Sequence, residues 1–155
     1  MSGIIGVAGT NSGVIPHGGI DYEEGTFAVT TNCGSGSVTA SASHPLSYTK
    51  IGNMVHLRGA LVASSHSSPS GTFTINLPFA VAALTGASDY CVGLATAGSI
   101  GAMNSACPLT IFSSGNETTM GFQEWTTTGS TGADVAALMA SNQQMFISFD
   151  YPTSL

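Results

Sequence analysis

Acid–base, nucleophilic and metal chemistry all need particular side chains, and this sequence is poor in them. Its 155 residues include 8 Asp and Glu, 2 Lys and Arg, 4 His and 3 Cys. His17, His44, His56 and His66 are scattered. No two stand at i, i+4 and no HExxH is present, so no pair shares one helix face around a zinc ion. Each is expected to be a solvent-facing or hydrogen-bonded structural histidine. No Gly-x-Ser-x-Gly elbow offers a serine nucleophile. Cys33, Cys91 and Cys107 are odd in number and widely spaced, with no CxxC. They read as small, buried residues of a chain made in a reducing compartment.

The carboxylates are the remaining candidates. Asp21-Tyr22-Glu23-Glu24 is the acidic cluster. Such a run reads first as a solvated face. Calcium binding by Asp21, Glu23 and Glu24 is the alternative, without EF-hand spacing to support it. A glycosidase needs a second carboxylate across a cleft. Glu117, Glu124 and Asp134 are distant candidates, and nothing in the sequence chooses among them. The expectation is a non-enzyme with no catalytic, cofactor-binding or metal-binding residues.

Lys50 and Arg58 are the basic side chains of the chain. With eight acids available, each is expected to pair with a carboxylate, within a subunit or between subunits. Arg58 falls mid-strand on a polar face, where a plain exposed cation is an equally open reading. Trp125 could stack on a sugar ring, and a core or interface role is the alternative. The four tyrosines do not cluster in sequence.

The elements that would position these residues are β-strands. Charged residues are only 6% of the chain, against about 25% in an ordinary soluble domain. Gly, Ser and Thr supply the polar surface instead, which suits a β-protein or an assembly subunit. A net charge of −6 excludes the cationic footprint of a nucleic-acid or anionic-membrane binder. No secretory signal and no run of about 20 apolar residues is present.

Period-two alternation predicts strands over residues 26–31, 37–43, 46–50, 54–63, 72–77, 90–97, 109–112, 118–124 and 145–151. Val55, Leu57 and Leu61 share one face of the longest candidate, opposite His56, Arg58 and Ala60. Asn32–Gly36 reads as a turn and Ser64–Gly71 as a polar loop. Gly52-Asn53 reads as a turn between two strands, and Gly59 as a point of close backbone approach. Residues 134–140 read as one or two helical turns. Eight or nine short strands separated by turns predict an all-β antiparallel sandwich or jelly roll over residues 21–155.

Residues 1–20 differ. Gly recurs every third position from Gly3 to Gly9, but the repeat then fails and lacks proline, so it is not collagen. The segment is too Gly-rich for a core of its own. It predicts an extended arm with Ile4, Ile5, Val7, Val14 and Ile15 as apolar teeth for attachment.

Two stretches carry a resemblance. Ser12-Gly13-Val14-Ile15 precedes Asp21-Tyr22-Glu23-Glu24-Gly25-Thr26-Phe27. Tyr48-Thr49-Lys50-Ile51-Gly52-Asn53-Met54-Val55 leads through Gly59 to Leu77-Pro78-Phe79. Together they resemble tailed-bacteriophage virion proteins of the tail-fibre, head-fibre and decoration type. Phe27 stands where that pattern has Trp. The match spans Ser12 to Phe79, and beyond Ala80 only alternation agrees. The resemblance implies a β-sandwich subunit, commonly a homotrimer, attached to the particle by its amino-terminal arm. It also implies other virion proteins, capsid or connector, as partners, with location in a virion made in the host cytoplasm.

Two functions follow as expectations. One is a capsid-associated decoration or short head-fibre subunit. The other is a tail-fibre, receptor-binding module recognising host cell-surface glycan. A chain of 155 residues opening on its own Met leaves no length for a shaft, which favours the first.

Overall fold

The computed structural model describes residues 21–83, 91–99, 109–126, 129–131, 135–139 and 141–154. The attachment arm, with Ile4, Ile5, Val7, Val14 and Ile15, lies outside the described residues, as do His17, Cys107 and Asp134. The described residues form nine strands: β1 Tyr22–Phe27, β2 Thr31–Ala40, β3 Leu46–Ile51, β4 Met54–Asn76, β5 Cys91–Ser99, β6 Leu109–Ser113, β7 Thr119–Thr126, β8 Gly129–Thr131 and β9 Gln144–Pro152. A single 3-10 turn, Val135–Leu138, stands where the helical turns were expected.

The strands form one sheet in the order β1-β3-β4-β9-β5-β6-β7-β8, with β2 also on β4. All pairings are antiparallel. The all-β antiparallel class therefore holds, but the architecture differs from two facing sheets. Strand β4 runs 23 residues. Its first half, Met54–Val62, pairs β9, and its far end, Phe73–Asn76, pairs β7. One strand thus closes β4-β9-β5-β6-β7 into a five-stranded barrel. The sandwich expectation came from cutting this strand at Ser64–Gly71.

Both segments read as turn and loop, Asn32–Gly36 and Ser64–Gly71, are strand. They pair with each other as a ribbon, with Cys33 opposite Phe73, Ser35 opposite Ser70 and Ser37 opposite Ser67. Most residues here are exposed, so no alternation of burial marks the strands in the sequence. Register shifts flank Ser35, the signature of bulges that twist a ribbon. Gly36 makes this possible. Its φ is +69°, and a Cβ there would stand 2.2 Å from the Ser68 carbonyl oxygen, so only glycine fits.

At the other end, the chain leaves β1 at Phe27 instead of continuing to Thr31. Strand β8 carried no alternation signal because three residues are too few for one.

Inside the barrel the alternation performs as expected. Val55, Leu57 and Leu61 of β4 stand opposite Tyr151, Phe149 and Met145 of β9, all buried. Phe73 and Phe122 approach at 5.5 Å between ring centroids, and Phe149 and Tyr151 stack at 5.3 Å. Each such side chain contributes about 1.5–3 kcal/mol of burial. Val135, Ala136 and Met139 pack onto β4 and are buried. At Gly59, φ is +144° and an added Cβ would stand 2.8 Å from Leu46 Cδ2. The close approach expected there is thus to the β3 side chain that seals the core.

Candidate functional site

Alternation sorts the outward side chains into rows running across neighbouring strands. Tyr22 of β1 faces Ile51 of β3, which faces Met54 of β4. The next row is Glu24, Thr49, His56 and Asp150. The third runs Thr26, Ser47, Arg58, Ser148, Leu94 and Thr110. Phe146 lies between Ala60 and Thr96, and Val92 faces Phe112.

On the inner side of β1 and β3, the acidic cluster is tied down residue by residue. Asp21 Oδ2 holds the Lys50 ammonium. The lysine side chain is 11% exposed and the aspartate 59%. The Phe79 ring centroid lies 6.0 Å from Nζ, and Tyr48 meets Phe79 edge-on at 5.2 Å. Tyr48 donates its hydroxyl to Glu23 Oε1 at 2.7 Å. On the outer side Tyr22 donates to Glu24 Oε2 at 2.5 Å. Both phenol pKa values are raised, first because the carboxylate accepts the hydroxyl proton, then by desolvation and the nearby negative charge. Glu23 and Glu24 therefore point to opposite faces and serve different donors. Among the described residues, no three His, Cys, Asp or Glu converge as a metal-ligand set.

The described histidines bind neighbours. His56 Nδ1 and Asp150 Oδ1 are 2.5 Å apart across β4 and β9. His66 Nδ1 accepts the Ser141 N–H at 3.0 Å, tying the ribbon to the approach to β9. His44 Nδ1 lies 3.1 Å from Ser41 Oγ. Cys33 is a half-buried thiol in no disulfide among the described residues, and Cys91 is buried. Burial pushes the Cys33 pKa up, against a smaller opposing effect of the Val38 backbone, so it is not an activated nucleophile. Tyr151 is fully buried, and burial pushes its pKa far up, partly opposed by the Phe79 backbone. The Phe79 backbone is close enough to act on its hydroxyl, but among the described residues no group meets that hydroxyl at full hydrogen-bonding geometry.

The two expected cations thus differ. Lys50 is bonded within the chain, whereas Arg58 is exposed and makes no ion pair among the described residues. Trp125 lies in β7 opposite Ser130, and Glu124 lies opposite Leu109 and Thr131. Glu117 is exposed between β6 and β7.

Sequence reading missed the outward apolar residues. Tyr22, Ile51, Met54, Val92, Leu94, Phe112 and Phe146 are exposed. The signal was present in residues 91–97, where both alternating sets are uncharged. A solvated strand would show polar residues on one of them.

No protein-family model matches the chain, and no curated protein does. The fold is similar to that in the crystal structure of the Dettilon tailspike protein, with a TM-score of 0.71 at 20% identity. The match covers 84% of this chain and 24% of that one. The chain therefore spans about a quarter of the length of that tailspike, and what the two share is the fold.

Proposed function

We propose that the chain is a non-enzymatic structural module of a tailed-bacteriophage particle. It acts as a homotrimer and attaches through residues 1–20. The fold likeness to a tailspike carries this reading. It joins the virion-protein resemblance of Ser12–Phe79 and a surface built from hydroxyls instead of charge. The engagement of Asp21, Glu23, Glu24 and Asp150 by Lys50, Tyr48, Tyr22 and His56 supports the non-enzymatic part. Asp21, Glu23 and Asp150 tie neighbouring strands together, and Glu24 is bonded within β1.

On the tail, the module would present its surface to host cell-surface glycan, with Trp125 as the proposed stacking contact. The tailspike likeness favours this location. The resemblance to decoration and head-fibre proteins supports a second reading, a subunit on the capsid. Either way its partners are other virion proteins, capsid or connector, and its place is the virion assembled in the host cytoplasm.

Immunogold electron microscopy of particles distinguishes head from tail. Attachment is tested by co-sedimentation with particles lacking the protein. The chain deleted for residues 1–19, and the full chain with Ile4, Ile5, Val14 and Ile15 all changed to Ser, should remain folded and fail to bind. Binding of either at the full-chain level would refute the arm as anchor.

A further inference from the structure

Among the described residues, the seven exposed large apolar side chains are not scattered. They fall in two patches on the outer surface. The first, on β9, β5 and β6, holds Val92, Leu94, Phe112 and Phe146, with Val92 64% and Leu94 55% exposed. The second, on β1, β3 and β4, aligns Tyr22, Ile51 and Met54 in one row. Single exposed apolar residues need no explanation, but contiguous groups mark surfaces that meet a partner.

Each patch has one charge without an opposite charge of its own. Arg58 stands in the same row as Leu94, separated from it by Ser148. It is exposed and unpaired among the described residues. Glu24 lies on the outward side of β1, two residues from Tyr22, and its carboxylate meets only the Tyr22 hydroxyl among the described residues. Asp21 and Asp150 are taken by Lys50 and His56, and Glu23, which like Glu24 accepts only a tyrosine hydroxyl among the described residues, points to the opposite face of β1. The first patch is apolar with a spare cation, and the second is apolar with a spare anion.

We infer that the first patch of one copy packs against the second patch of another copy, with Arg58 paired to Glu24 across the contact. Charge selects this arrangement. Packing the first patch on itself would bring two Arg58 side chains to one interface, and packing the second on itself would bring two Glu24 carboxylates together. Only the unlike pairing neutralises both. The chain's net charge of −6 makes this matter, because copies repel except where a cation meets an acid.

Curvature points the same way. Each strand of a five-stranded barrel turns the surface by about a fifth of a revolution. β1 and β3 lie outside the barrel, but Met54 of β4 and Leu94 of β5 stand two barrel strands apart and so face different directions, which calls for two separate neighbours to cover the patches. A contact between unlike surfaces leaves one of each patch open until a ring closes. This inference specifies the self-association in the proposed function and rests on that part of it, independently of head or tail location.

The test uses the full chain, sized by sedimentation velocity and native mass spectrometry over a range of concentrations. The wild type should form a closed oligomer. Leu94→Asp and Met54→Asp, one in each patch, should each dissociate it at least about tenfold more readily. Arg58→Glu and Glu24→Arg should each weaken it comparably, and the double swap R58E/E24R should regain most of the loss. Circular dichroism confirms that each variant is folded; a misfolded one is replaced by Leu94→Ser or Met54→Ser. A monomeric wild type at high micromolar concentration would overturn both this contact and the trimer. An oligomer unchanged by Leu94→Asp and Met54→Asp would overturn the contact alone. So would a dimer sensitive to one patch only, or a double swap no better than its single parents.

Discussion

Replacing Asp21 by Asn should destabilise the protein more than replacing Lys50 by Met, although both remove the same ion pair. The asymmetry lies in burial. The Lys50 side chain is 11% exposed and sits by Phe79, whereas Asp21 is 59% exposed. Asp21→Asn leaves an ammonium held in the protein without its anion. Breaking a fully buried pair this way costs about 3–5 kcal/mol. Here water reaches the carboxylate and screens the interaction, so about 1–2 kcal/mol is expected. The Asp21 carbonyl still accepts the Gly52 N–H at 2.7 Å, so the backbone junction survives. Lys50→Met keeps most of the stem against Phe79 and removes the charge that needed a partner. Asp21 then simply hydrates, and stability should stay within about 1 kcal/mol of wild type. Urea unfolding at one protein concentration, read from midpoints at constant slope, resolves these differences. The double variant D21N/K50M should match K50M, because the asparagine no longer faces a buried cation. Lys50→Met costing as much as Asp21→Asn would refute the reasoning and move the stabilisation into the pair itself.

Tyr151→Phe removes a buried hydroxyl that no described residue meets at hydrogen-bonding geometry, so the urea midpoint should stay the same or rise, by up to about 1–3 kcal/mol; a clear loss would show that the hydroxyl is bonded, with the Phe79 backbone as the nearest acceptor. Because Tyr22, Tyr48 and Tyr151 have raised folded-state pKa values, the folded chain keeps protons that the unfolded chain loses above about pH 10. Stability should be fully present below that pH and fall as pH rises through the folded values; unfolding series across the alkaline range should show a shallower fall in Tyr151→Phe. Gly36→Ala should cost about 1–3 kcal/mol or more through its positive φ and its collision with the Ser68 carbonyl, with protease cleavage appearing in the β2–β4 ribbon; unchanged protease resistance would contradict the tight pairing.

Alternation of apolar side chains was enough to reveal most of the barrel strands, because each of them buries one face and solvates the other. Val55, Leu57 and Leu61, then Phe73, Ile75 and Leu77, then Met145, Ile147, Phe149 and Tyr151 each lie on one alternating face, and that face is the buried one. Composition likewise determined the all-β class, since hydroxyl and glycine surface with so few charges leaves little from which to build exposed helices. The ribbon was invisible for the converse reason. Ser64–Gly71 and Asn32–Gly36 bury almost nothing, so no periodicity records that they are strands, and only hydrogen bonding between distant segments makes them so. That pairing keeps β4 unbroken, which decides barrel closure. The ion pairs followed the same logic. Sequence could expect a carboxylate for Lys50 and leave Arg58 open between an ion pair and a plain exposed cation, but the choice among eight acids depended on register. A strand pairing that sets Glu23 opposite Lys50 brings Asp21 within reach of the ammonium. It leaves Arg58 between Ser47 and Ser148, facing outward with no acid paired to it among the described residues.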